Sequence, residues 1–286
     1  MPQKPALSSE QIADFQLDGV LRLAGLVQPE ATRLARQPLH RRLAELGLWE
    51  EGARQAQRSR PRWPAIGVKP ARDIGHRRPE VAALFEAPAV AAVVAAILHD
   101  RPVDRTIWRR PQVLVSLPNA GPWVSPEGWH VDIPRLSGDE SPGVQLFVMI
   151  DSVAARGGGT FAVAGSHRLF NDRGVLRTKD VGRLTRAEPF FRALRGGFEG
   201  QDLPGGFVGD VPVQVVELTG EPGDAWLIDL RVLHTASPNA AERPRMMATQ
   251  RYVCTDVMPA IAAAFGWVSD DKPSLDISRV GANLAG

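Results

Sequence analysis

Apolar and polar positions along this chain change their rhythm near residue 100. Helical spacing prevails before it, and short β-rich runs between Gly, Pro and Asn turns prevail from about 107 to 255. Ser8-Ser9-Glu10-Gln11 offers a helix N-cap ahead of Ile12 and Phe15, and Gly19 marks the stop. Residues 20–23 then read as a strand. Pro29-Glu30-Ala31 opens a second helix, which Pro38 is expected to kink or split before Leu39, Leu43 and Leu46 continue its apolar stripe. Residues 50–75, rich in Arg, Gln and Pro, read as a loop ending in a short strand at 65–69. Residues 79–98 are helical again, with a break at Pro88.

Strands are expected at 112–115, around 129–132, and at 144–150, 160–163, 213–218, 225–230 and 246–253. So many short strands point to a fold that is mainly β with flanking α-helices, a double-stranded β-helix (jelly roll, cupin-like). A single domain over 1–286 is expected, with N-terminal helices at 9–98 buttressing a β core at about 107–255. Residues 133–143 and 168–210 are too long and irregular for simple turns and are expected to be lid loops over a pocket.

Composition narrows the class without naming it. With 44% apolar and 23% charged residues, the sequence fits a globular protein and neither a disordered nor a fibrous one. Net charge is +2 and the arginines are scattered, which disfavours a nucleic-acid partner. One cysteine, Cys254, leaves no internal disulfide and no Cys-rich zinc module. The N-terminus has no apolar signal region and no run reaches the ~20 residues that span a bilayer, so a cytoplasmic protein without a membrane partner is expected.

The candidate chemistry is in Trp129-His130-Val131-Asp132. On a strand, His130 and Asp132 share one face, so imidazole and carboxylate can hold one metal ion. His234, about a hundred residues later, would complete two histidines and one carboxylate, the face associated with non-haem Fe(II) oxygenases. His167 reads as structural, and His40, His76 and His99 as surface or capping residues.

Three segments in order resemble the phytanoyl-CoA dioxygenase (PhyH-like) family of Fe(II)- and 2-oxoglutarate-dependent oxygenases. They are Trp129-His130-Val131-Asp132; the run from Gly158-Gly159-Thr160 to Gly165-Ser166-His167; and Gly223-Asp224 through Leu233-His234 to Ser237-Pro238-Asn239. The resemblance covers about residues 9–255. It implies Fe(II) held by His130, Asp132 and His234, with 2-oxoglutarate and O2 as co-substrates. It implies that Arg245, eleven positions after His234, pairs with the far carboxylate of 2-oxoglutarate. A hairpin loop at 236–244 would set Arg245 on the strand beside His234, and Arg243 and Arg251 are its rivals. Gln112 falls where the family lines the co-substrate pocket, and Lys69 is a further polar contact from the preceding strand.

Relatives that halogenate lack the carboxylate ligand, so Asp132 favours hydroxylation of a small-molecule metabolite. Desaturation, cyclisation, epimerisation, or a non-catalytic jelly-roll binding protein are the alternatives. Arg109, Arg110, Arg135, Arg168, Arg173 and Arg177 flank the expected pocket and would suit an anionic substrate.

Overall fold

The computed structural model describes residues 7–49, 78–104, 110–118, 123–198 and 202–266. Ser8 caps the first helix, α1 (Ser9–Asp18), through a reciprocal box in which Gln11 N donates to Ser8 Oγ at 3.1 Å and Ser8 N to Gln11 Oε1 at 3.0 Å. Gly19 ends it with φ +67°, and a Cβ there would lie 2.4 Å from His167 Nδ1, so only glycine fits. α2 (Pro29–Glu45) buries Thr32, Ala35, Leu39 and Leu43 along one face. Of the kink or split expected at Pro38, the split does not occur: the helix is continuous through it. Proline removes one backbone donor, but Ala35 before it and Leu39 and Leu43 after it are fully buried in one cluster, so packing carries the helix across. α3 (Pro79–Ala83) and α4 (Pro88–Ile97) fall on either side of the break at Pro88, as expected.

Two antiparallel sheets form the jelly roll. The larger runs β1 (Val20–Leu23), β7 (Ala225–Asp229), β3 (Gly143–Met149), β9 (Arg245–Val253) and β2 (Gln112–Ser116). The smaller runs β5 (Gly205–Val208), β6 (Val211–Glu217), β4 (Phe161–Ala164) and β8 (His234–Thr235). Alternation sorts the side chains into layers. Val144, Leu146, Val148, Met246, Ala248 and Tyr252 pack outward with α1 to α4, whereas Phe147, Met149 and Met247 face Ala162 and Ala164 of the smaller sheet. Each fully buried leucine on the helical side, such as Leu39 or Leu146, contributes roughly 2 kcal/mol of burial.

The segment 168–210 departs from the irregular lid expected of it. It holds α5 (Thr178–Ala187), α6 (Pro189–Arg195) and β5. Val181 and Thr185 recur at i, i+4, and Phe191 and Leu194 at i, i+3, so both helices bury a stripe against Phe161, Val163, Val213 and Val215 on the outer face of the smaller sheet. α7 (Met258–Phe265) closes the described chain, with Ile261 against Ile133, Leu230 and Val253. No helix among the described residues is long and apolar enough to cross a membrane.

Candidate metal centre

His130 and His234 face each other across an antiparallel bridge, each donating its backbone N–H to the other's carbonyl at 3.0 Å. Opposed residues of such a pair send their side chains to the same face, and the two rings lie with centroids 4.6 Å apart. Trp129-His130-Val131-Asp132 is therefore not the regular strand expected. It meets the edge of the smaller sheet at one residue, and the chain bends at Asp132.

The rings are oriented from behind. His130 Nδ1 lies 2.7 Å from the Gly128 carbonyl and His234 Nδ1 3.0 Å from the Val232 carbonyl. A proton on each Nδ1 completes those bonds and leaves both Nε2 atoms as donors to a metal. They converge on one carboxylate: His130 Nε2 is 3.6 Å from Asp132 Oδ1, and His234 Nε2 is 3.5 Å from Asp132 Oδ2. One ligand atom from each residue lies within 4.8 Å of the other two, a separation a single divalent ion can bridge.

Asp132 has a further partner on the opposite sheet. Arg251 donates from Nε at 2.9 Å and also from Nη2 to Asp132 Oδ2, and from Nη1 to Gln112 Oε1 at 3.2 Å. Burial alone would raise the Asp132 carboxyl, but Arg251 and the two histidines hold it well below the ordinary carboxylate range. Burial likewise opposes protonation of His130, and the adjacent Asp132 outweighs it, so the imidazole titrates above its usual value.

Arg245 opens β9 opposite Ser116 of β2. Its placement is built by Asn239, whose Nδ2 donates to the carbonyls of Ser116 at 2.9 Å and Arg243 at 2.8 Å, while its Oδ1 accepts from Ala241 N. Gly158, with φ +82°, lets that turn pass close, since a Cβ there would meet Asn239 and Ser116. β9 is not the neighbour of β8, as the hairpin reading expected. Residues 236–244 carry the chain from the smaller sheet to the larger, so Arg245 faces the histidines from the other wall.

The guanidinium of Arg245 is buried. Nη1 reaches the Leu114 carbonyl at 3.4 Å and Met247 Sδ at 3.7 Å, and Nε has no hydrogen-bond partner among the described residues. Burial draws its pKa down to about 10, and no carboxylate among the described residues offsets it. A buried cation left in this state is suited to an anion. On the same face of β9, Arg245 leans toward Met247 and Arg251 leans toward Gln112, the neighbour of Thr249. The two arginines therefore reach toward each other along the inter-sheet cleft.

Other expectations fall elsewhere. Lys69, Arg109 and His76 lie outside the described residues. Arg135 does not line a pocket: it is fully buried and donates to the carbonyls of Arg231, Ser166 and His167. Arg173 is exposed beside Asp172. His167 contacts the Gln16 carbonyl at 3.1 Å, in keeping with a structural role. His40 pairs with Asp151 rather than standing free on the surface. Sequence reasoning missed Gln145, which donates to Thr249 Oγ1 at 3.0 Å, and the contact of Arg251 with Asp132. The period of two along 245, 247, 249 and 251 was the available signal for the latter.

The fold and this site define a class: a jelly roll whose facing sheets gather two histidines and a carboxylate, with buried arginines on the opposite wall. The sequence matches the phytanoyl-CoA dioxygenase (PhyH) family over residues 15–247, and the chain belongs to that family, one of non-haem iron, 2-oxoglutarate-dependent enzymes. No curated protein matches it. Among solved structures, the α-ketoglutarate-dependent epimerase SnoN of nogalamycin biosynthesis is 17% identical, with a TM-score of 0.52 over 86% of this chain and 81% of that one. AviO1 from Streptomyces viridochromogenes Tue57 is 20% identical, with a TM-score of 0.51 over 88% and 97%. EctD from S. alaskensis, solved with 2-oxoglutarate and 5-hydroxyectoine, is 17% identical, with a TM-score of 0.52 over 87% and 77%. Likeness at these identities speaks for the fold.

Proposed function

We propose that this protein is an Fe(II)- and 2-oxoglutarate-dependent dioxygenase that hydroxylates an unactivated C–H bond of a small-molecule metabolite, releasing succinate and CO2. The observation that carries this reading is the convergence of His130, Asp132 and His234 within 4.8 Å, across the cleft from a buried arginine that has no acidic partner among the described residues. Iron with 2-oxoglutarate and O2 supplies the oxidising chemistry when bound.

The chain's own groups divide the remaining work. His130 and His234 offer Nε2 because their Nδ1 atoms are engaged with backbone carbonyls. Asp132 offers Oδ1, since Oδ2 is held by Arg251. Three protein ligands would leave the other positions of a bound ion open for the co-substrates. Arg245 seats the distal carboxylate of 2-oxoglutarate through its planar fork. Gln112, tied to Arg251, lines the same cleft.

The carboxylate at Asp132 favours hydroxylation over halogenation. Epimerisation is the second reading, because SnoN shares this fold; desaturation and cyclisation use the same centre. Anaerobic addition of Fe(II) and 2-oxoglutarate is expected to give a visible charge-transfer band. Metabolites are then screened for substrate-dependent succinate release, with His130→Ala as the blank. A protein that shows neither the band nor tight iron is a jelly-roll binding protein instead.

A further inference from the structure

Asp132 reaches across the cleft to a cation of its own, and nothing in the triad reading requires that. Arg251 comes from the larger sheet, whereas the histidines belong to the edge of the smaller one. Its side chain is 7% exposed and that of Asp132 is 12%, so the pair meets largely away from water. Both Nε and Nη2 converge on a single oxygen, Oδ2, while Nη1 is steadied by Gln112. Oδ1, which Arg251 leaves free, is the oxygen nearer His130.

We infer that Arg251 is the resident counter-ion of Asp132, a positioning residue that stabilises the metal-free site and thereby limits the affinity of the triad for a divalent ion. The inference rests on the triad reading above. In the metal-free protein, loss of Arg251 would leave the buried Asp132 carboxylate with only the imidazoles of His130 and His234 beside it. Once an ion is bound, the carboxylate is already neutralised and a second cation beside it repels the first. A group that favours the metal-free state over the loaded one lowers metal affinity by the same free energy. The fork also keeps Asp132 to one free oxygen, so only Oδ1 is presented to the ion.

Mn(II), titrated under 2-oxoglutarate-free conditions and followed by the loss of its free EPR signal, reports affinity without turnover. Arg251→Met is expected to bind Mn(II) about tenfold tighter than the natural protein, and Arg251→Lys, which keeps the charge, to stay near it. An orienting or merely structural arginine would give weaker binding on removal, so equal or weaker affinity in Arg251→Met overturns the inference. Metal-free melting temperatures supply a second, metal-independent readout. Arg251→Met and Asp132→Asn should each lower it, and the double variant should melt no lower than the worse single one. Additive losses overturn the pairing. If the natural protein binds no Mn(II) while the melting temperatures still show coupling, the triad reading fails and the ion pair alone survives. Tight binding by the natural protein with no change in Arg251→Met sinks the counter-ion role alone.

Discussion

Arg245 and Arg251 stand six residues apart on one strand face, yet their surroundings differ. Arg251 has Asp132; Arg245 has a carbonyl, a thioether and an unpartnered Nε. The family's spacing from His234 pointed to Arg245, which, unlike Arg251, has no acidic partner among the described residues. Arg243, the other rival, lies at the turn that Asn239 closes, with its guanidinium over the Trp49 ring. Replacing Arg245 with leucine is expected to raise the KM for 2-oxoglutarate by about 100-fold while Mn(II) affinity stays within a few-fold, measured by steady-state kinetics and metal titration. Arg245→Lys keeps the charge but loses the planar fork, and should fall in between. A KM unchanged in Arg245→Leu would move the co-substrate elsewhere in the cleft. The meeting of His130, Asp132 and His234 was legible because a three-residue pattern and a distant histidine have few alternatives in so histidine-poor a chain. The Asp132–Arg251 contact was not, since the period of two puts Arg251 on the inward face of β9 but does not say which inward residue a carboxylate on another segment will meet.

At the scale of elements, the sequence showed what is long and periodic and hid what is short or built from distant contacts. α1, α2 and the break at Pro88 are written in caps, prolines and apolar spacing. β8 is two residues long and β5 begins Gly205-Gly206, so neither presents a pattern before the tertiary fold pairs it. α5 and α6 were hidden in a segment rich in charge, where only Val181, Thr185, Phe191 and Leu194 mark a buried stripe. What binds the segments around this region is a pair of buried arginines. Arg135 gathers the carbonyls of Ser166, His167 and Arg231, and burial together with the positive charge of Arg231 pulls its pKa to about 9. Arg231 is held by Asp229 at 2.9 Å and in turn donates to the carbonyls of Gly138 and Asp139.

Arg135→Ala, which takes the guanidinium from the carbonyls of His167 and Arg231 while Ser166 keeps the Leu169 N–H, is expected to cost on the order of 3 kcal/mol, read as a lower denaturant midpoint, and to expose 168–198 to limited proteolysis before the rest of the chain. Asp229 sets a pH dependence. Burial raises its carboxyl, but Arg231 prevails and holds the folded value below the usual one. The stability it contributes is therefore present above the unfolded carboxylate pKa and lost as pH falls through the lower folded value. Thermal unfolding from about pH 6 to about pH 3 should show a shallower decline in Asp229→Asn than in the natural protein. Parallel curves would remove Asp229 from that account.

For the whole molecule, the larger sheet carries α1 to α4 on its outer face, the smaller sheet carries α5 and α6, and the reactive groups line the layer between them. The histidines are held by one wall and the arginines by the other, so an ion at the triad would touch the wall opposite Arg245 and Arg251. Mn(II) is expected to raise the melting temperature progressively with concentration, by about 2–4 °C for each kcal/mol of binding free energy, and to leave His130→Ala unmoved. A shift that persists in His130→Ala would place the ion somewhere else.

The mutual backbone pairing of His130 with His234 has one more consequence, for how such a chain can change over time. Loop lengths between the two histidines can drift freely, because nothing in the intervening hundred residues is counted by the pairing. Parity at the pairing itself cannot drift: one residue gained or lost beside Trp129 would swing the imidazole outward and bring tryptophan or valine in its place. Descendants of this scaffold are thus free to rebuild the rim and acquire new substrates, while the two paired histidine positions must be inherited as a matched set.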